Sequence, residues 1–188
     1  MPSPPDVQAI AAVRAYWEAH PLYSYEVAEP GTPAFFAAID RIKRQDVERF
    51  AMAYWAFPAF AGKTVLDIGC GPGWLTVEYA RAGARVTAVD LTDRAVAIAR
   101  AHLAHAGLSA DVRQANAEEL PFKDGSFDLV VASGVLHHTA DTEKAVAEAR
   151  RVTAPGGHAK ITLYRKGLLH GPLFPLARRL MRLMAVAH

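Results

Sequence analysis

The stretch "VLDIGCGPGWLT", Val65 to Thr76, sets Asp67 just ahead of three glycines on alternate positions, Gly69, Gly71 and Gly73. A carboxylate beside such a turn can hold a cation or hydroxyl groups. Glycines let a ligand approach backbone N–H groups at the start of the following helix. In this reading Gly69 permits the turn, Gly71 and Gly73 clear side chains from the ligand's path, and Pro72 stiffens the loop. A second acid, Asp90, follows Gly69 by 21 residues at the end of "RVTAVD", where a carboxylate meets ribose hydroxyls in dinucleotide-binding proteins. That dinucleotide fingerprint requires Gly or Ala at position 74, and this chain has Trp74; a P-loop fails because no Gly-Lys-Ser or Gly-Lys-Thr follows. His137 and His138 in "SGVLHH" add imidazoles that titrate near neutral pH. No metal centre is expected. His102 and His105 lie three apart on a helix read as exposed, and there is neither an H-E-x-x-H pattern nor a cysteine cluster.

These residues need a frame that brings strand ends together. From Thr64 onward, β-branched apolar runs ("TVLDIG", "RVTAVD", "DVRQAN", "FDLVVAS", "HAKITLY") alternate with segments of helical spacing over 74–82, 93–106 and 141–153. Strand alternating with helix implies βαβ units, hence an α/β fold with a doubly wound, mostly parallel sheet. Most of the aromatic residues precede position 61, in a segment that reads as a helix from about Asp6 to His20, a loop, and a long helix from Thr32 to about Phe57 with Thr32 as N-cap. The expected organisation is a helical cap or lid over 1–60 packed on a ligand-binding domain over 61–188. In the segment 173–187, Leu173, Leu176, Leu180, Leu183 and Met184 share one helical face and Arg178, Arg179 and Arg182 the other. That helix either packs on the sheet or meets a membrane surface or an apolar partner.

The formal charge of only +2 argues against nucleic acid as a partner. The single cysteine, Cys70, fits a reducing compartment, and no run approaches the roughly 18 apolar residues that span a bilayer. A cytoplasmic protein is expected.

The motifs resemble those of the class I S-adenosylmethionine-dependent methyltransferases across about Thr64 to Tyr164. "VLDIGCGPGWLT" is similar to the first motif, "VTAVDLT" to the second-strand motif, "ANAEELPFKDGSFDLVVASGVLHH" to the third and fourth strands, and "RVTAPGGHAKITLY" to the approach to the fifth. The resemblance implies a Rossmann-like sheet of order 3-2-1-4-5 and S-adenosyl-L-methionine as cofactor. Asp67 would orient the cationic amino group, Gly69, Cys70 and Gly71 would line the methionine and ribose portion, and Asp90 would accept from both ribose hydroxyls. Leu91 would lie on the adenine face, Asn116 and Ala117 would hold the adenine edge, and Ser133, Gly134 and Val135 would pass beneath the sulfonium. Asn116 stands where many relatives carry Asp. His138 or His137 would be a general base if the acceptor must lose a proton; otherwise the pair shapes the loop. "SGVLHH" lacks the Pro-Pro and aromatic of enzymes acting on nucleic-acid bases, which favours a small-molecule or lipid-like acceptor. Trp17, Tyr23, Tyr25 and Phe36 would form its apolar wall or simply pack the cap. A binding or regulatory protein that kept the cofactor site without the chemistry is the competing reading. The family's sixth and seventh strands have no counterpart after the fifth, so the domain is expected to be C-terminally incomplete, a piece of a longer chain in preference to a shortened variant.

Overall fold

Five strands build the sheet, β1 (Thr64–Ile68), β2 (Arg85–Asp90), β3 (Asp111–Gln114), β4 (Phe127–Ser133) and β5 (Thr153–Thr162), and the central β1 and β4 are apolar runs buried on both faces, as strands covered by helices on both sides must be. The structure, a computed structural model, describes residues 7–22, 28–47 and 51–163. The strand order is β3-β2-β1-β4-β5, with every neighbouring pair parallel. This is the expected fold. The order reverses beside β1, and a crevice at the carboxyl edge between β1 and β4 follows from that reversal.

Side chains alternate between the two faces with period two. Val65, Leu129 and Val131 join one apolar cluster with Trp55, Trp74 and Tyr79, whereas Leu66, Ile68, Val130 and Ala132 join another with Ala145, Ala149 and Val152. The helices are α4 (Trp74–Arg81), α5 (Asp93–His105) and α6 (Thr142–Val152). Thr92 caps α5 by accepting from the Ala95 N–H at 3.3 Å, and Asp141 caps α6 by accepting from the Lys144 N–H at 2.9 Å.

In the N-terminal segment, α1 (Val7–Ala19) and α2 (Pro33–Ile42) start where expected, with the Thr32 hydroxyl accepting from the Phe35 N–H at 3.2 Å. The long helix to Phe57 does not form. The chain passes instead through a π-helical turn (Lys43–Val47), the one-turn helix α3 (Met52–Trp55) and a 3₁₀ turn (Phe57–Phe60). Ala56 adopts a left-handed conformation, φ +49°, which ends α3. An uninterrupted helix over 33–57 would run about 37 Å in one direction. The breaks instead fold the segment back, so that Trp55 is fully buried, its carbonyl accepting from the Tyr79 hydroxyl at 2.8 Å and from the Lys160 ammonium at 2.9 Å. Tyr23, Tyr25 and the amphipathic segment 173–187 lie outside the described residues. Among the described residues no helix is long and apolar enough to cross a membrane.

Candidate functional site

β1, β2 and β4 are neighbours with their carboxyl ends at one edge, and a cavity opens there. Its lining includes Asp67, Gly69, Cys70, Gly71, Asp90, Leu91, Asn116, Ala117, Ser133, Gly134, Val135 and His138. Two candidates, Gly73 and His137, are not among its lining residues.

The three glycines of the loop serve three different purposes. All have positive φ, +67° at Gly69, +51° at Gly71 and +77° at Gly73. A Cβ on Gly69 would stand 2.3 Å from Val135 Cγ1, so this glycine admits the chain that follows β4. A Cβ on Gly71 would meet nothing within 4 Å, and Gly71 is the glycine that keeps the cavity wall open. The expectation that Gly73 clears a ligand's path is corrected: a Cβ there would meet Ala99 Cβ at 3.0 Å, so Gly73 lets α4 and α5 pack closely. Cys70 is a buried wall residue whose thiol is pushed up chiefly by burial, which keeps it neutral.

The two acids face the same cavity from neighbouring strands. Asp67 is 2% exposed and accepts from the Thr76 hydroxyl at 2.6 Å; burial outweighs that bond and pushes its carboxyl up to about 6. Asp90 accepts from the Gly71 N–H at 3.0 Å on one oxygen, and from the Thr92 N–H at 3.0 Å and the Thr92 hydroxyl at 2.9 Å on the other. Burial raises its pKa, and these bonds oppose the rise. An ionised carboxylate has about four acceptor sites, and these three bonds leave Asp90 about one for a further donor. Asn116 turns its side-chain oxygen back onto the Glu118 N–H at 3.0 Å, holding the loop after β3 against the cavity.

A short 3₁₀ turn (Leu136–His138) after β4 carries both histidines. His138 meets Trp17 edge-on, ring centroids 5.1 Å apart. Burial lowers the pKa of His138, and the adjacent His137 adds to the effect. Trp17 lines the cavity with Ile10, Val13, Pro21 and Leu22, so α1 and its exit cover the crevice with apolar groups. Phe36 does not contribute to that wall. It stacks on His102 instead, at 4.3 Å with the planes 3° apart.

His102 is also corrected, from exposed to buried at 6% exposure. Its Nδ1 lies 2.9 Å from the Pro72 carbonyl, so it packs beneath the glycine loop, and burial lowers its pKa. Among the described residues no group of three or more His, Cys, Asp or Glu side chains could hold a metal ion.

Sequence reasoning missed two buried charged residues in the cavity wall, Lys43 and Glu118. Lys43 could have been found: it lies four residues after Ile39 and eight after Phe35, on the buried face of that helix. Glu118, whose carboxylate accepts from the Asp141 N–H at 3.1 Å, has no signal separating it from its exposed neighbour Glu119.

A parallel sheet of this order, with a glycine loop after β1 and an acid ending β2, defines a Rossmann-like class whose ligands sit at the switch point. A family model described as "Methyltransferase domain" matches residues 66–161. The chain belongs to this methyltransferase domain family. The ubiquinone biosynthesis O-methyltransferase of Aromatoleum aromaticum is 44% identical over 98 residues, 52% of this chain and 42% of that protein. Its namesake from Caulobacter vibrioides is 35% identical over 160 residues, 82% of this chain and 60% of that protein. The crystal structure of the YcgJ protein from Bacillus subtilis matches with a TM-score of 0.57 and 28% identity, covering 61% of this chain and 50% of that one. The chain thus spans between 42% and 60% of the length of these two curated relatives.

Proposed function

We propose that the protein transfers a methyl group from S-adenosyl-L-methionine to a hydroxyl of a small, apolar acceptor. The observation that carries this reading is the pair Asp67 and Asp90, on neighbouring strands and facing one cavity beside the open Gly71 wall. The residues fit the cofactor. Asp90 has about one acceptor site left for a ribose hydroxyl, Asp67 supplies an anion for the amino group, and Leu91 offers an apolar face for adenine, with Asn116 and Ala117 at its edge. Ser133, Gly134 and Val135 form the floor, and Cys70 completes the wall.

When bound, the cofactor supplies an activated methyl group on a sulfonium, so the chain has little covalent chemistry left to perform. Its task is to align the acceptor oxygen and keep water out, which together can remove several kcal/mol from a barrier. Ile10, Val13 and Trp17 exclude water from above. His138, held neutral by burial, takes the acceptor's hydroxyl proton on a ring nitrogen. The name of the matched relatives, ubiquinone biosynthesis O-methyltransferase, supports an oxygen acceptor with an apolar body. The buried lone cysteine supports a reducing, cytoplasmic setting.

The test is methyl incorporation from isotopically labelled S-adenosylmethionine into catechols and phenols of increasing apolar tail length, with the Asp90→Ala variant as control. Labelled O-methyl product from the native protein, absent from the variant, is expected. Cofactor binding without transfer to any oxygen acceptor would leave only a binding protein.

A further inference from the structure

Position 118 holds a carboxylate where an apolar side chain of similar volume would pack without penalty. Glu118 is 2% exposed, lines the cavity, and sits between the buried residues Ala117 and Leu120. Among the described residues no cation pairs with it, and the hydrogen bond its carboxylate makes is from the Asp141 N–H to Oε1 at 3.1 Å. Burying an anion with so little compensation is costly, and an apolar replacement is often neutral or stabilising. Stability alone therefore does not explain this glutamate. What its bond connects does.

On one side of that bond, the chain after β3 makes a tight turn. The Asn116 side-chain oxygen accepts from the Glu118 N–H at 3.0 Å and the Asn116 carbonyl from the Glu119 N–H at 3.1 Å, which turns Glu118 inward and leaves Glu119 exposed. On the other side is the chain from β4 to α6. It begins at Val135, packed onto Gly69, passes through the turn Leu136–His138, and ends at Asp141, the N-cap of α6. Its own bonds are local: the Val135 carbonyl accepts from the His138 N–H at 2.8 Å, and the Leu136 carbonyl from the Thr139 hydroxyl at 2.6 Å. The segment that carries His138 is thus fixed at its start by the glycine loop and at its end by Glu118. Both fixings come from loops that line the cavity. Misplacing a reacting group by about 1 Å can cost about a hundredfold in rate.

We propose that Glu118 is a positioning residue for proton transfer: by holding the Asp141 N–H it sets the turn that carries His138 in register with the loop that carries Asn116 and Ala117. Proton acceptor and methyl donor then keep one relative placement. This inference rests on the reading above in which His138 takes the acceptor's proton.

Steady-state methylation of a phenol by the full chain, with calorimetric titration of S-adenosylhomocysteine beside it, tests the role. Glu118→Met should lower kcat about tenfold or more and leave S-adenosylhomocysteine affinity within about twofold of native. Glu118→Gln keeps an oxygen for the Asp141 N–H and should recover most of the rate. In a His138→Ala background Glu118→Met should cost little more, because a base already removed cannot be misplaced. Its deficit should also shrink as pH approaches the phenol's own pKa. Glu118→Leu serves the same comparisons if the methionine variant does not fold. A deficit of equal size in both backgrounds, a deficit that Glu118→Gln does not relieve, or a loss of affinity matching the loss of rate would overturn the proposal and leave methyl transfer standing. Native kcat in Glu118→Met would do the same. Native protein that binds S-adenosylhomocysteine but methylates no oxygen acceptor would overturn the methyl-transfer reading and this proposal with it.

Discussion

Burial raises the Asp67 carboxyl to about 6, against the pull of the Thr76 hydroxyl bond and of Lys43, and Asp90 pushes it further up. An ammonium ligand binds the ionised form, so below about pH 6 binding must first displace a proton. Affinity for S-adenosylhomocysteine is therefore expected to rise from pH 5 to 7 and then level, and the slope should vanish in Asp67→Asn, as titrations at several pH values would read. In the ligand-free chain the sign reverses. Folded Asp67 holds its proton more tightly than the unfolded residue at 3.8, so its stabilisation is complete below that value and is lost as pH rises through about 6. The stability of the native chain relative to Asp67→Asn should fall across that window. His138 carries a different expectation, because its role is proton removal. His138→Ala should slow methylation of a phenol by about a hundredfold, with the deficit shrinking as pH approaches the phenol's own pKa. His137→Ala should cost much less. A His138 deficit that is equal at every pH would mean the ring only packs against Trp17.

Between Lys43 and Phe60 the chain depends on breaks that no local signal announces. Ala56 sits at φ +49°, a conformation that costs an L-residue with a Cβ roughly 1–2 kcal/mol. Glycine relieves that strain while losing about 0.5–1 kcal/mol of backbone entropy. Ala56→Gly is thus expected to leave stability unchanged or raise it by up to about 1.5 kcal/mol in denaturant titration. In an unbroken helix the same substitution would cost about 1 kcal/mol, so the measurement distinguishes the two conformations. The elements from β1 to β5 were legible because they carry local evidence: apolar runs for strands, helical spacing between them, and glycines at the turns where φ is positive. The crevice and its two acids were legible for the same reason. The cap was not, since its bends are set by distant partners, Trp55 and Phe57 against Tyr79, and Phe36 against His102. Gly73 and Lys43 belong to that second class. Whether a glycine opens a cavity or admits a neighbouring helix, and whether a lysine faces water or a cavity, depends on what packs across from it.

The molecule combines a firmly packed sheet with a loosely attached cover. β1 and β4 are buried on both faces, while α1 has no buried residue at all. The contacts of α1 with the rest of the described residues include an exposed ion pair from Arg14 to Asp93 at 2.8 Å, the Arg94 guanidinium donating to the Glu18 carbonyl at 3.3 Å, and the edge of Trp17 on His138. Exposed ion pairs contribute about 0–1 kcal/mol and α1 has no fully buried residue, so α1 is expected to open at a lower free energy than the sheet. That difference suits a site whose ligand must enter and whose chemistry then excludes water. Hydrogen exchange should show it. In the ligand-free protein the amides of 7–19 should exchange far faster than those of β1 and β4. S-Adenosylhomocysteine should slow exchange mainly around the glycine loop, and an acceptor added on top should slow α1 as well. Arg14→Ala should speed exchange of α1 and leave the strands unchanged. If α1 is already as protected as β4 without ligand, the cover is a fixed part of the core, and ligands must reach the crevice by another route.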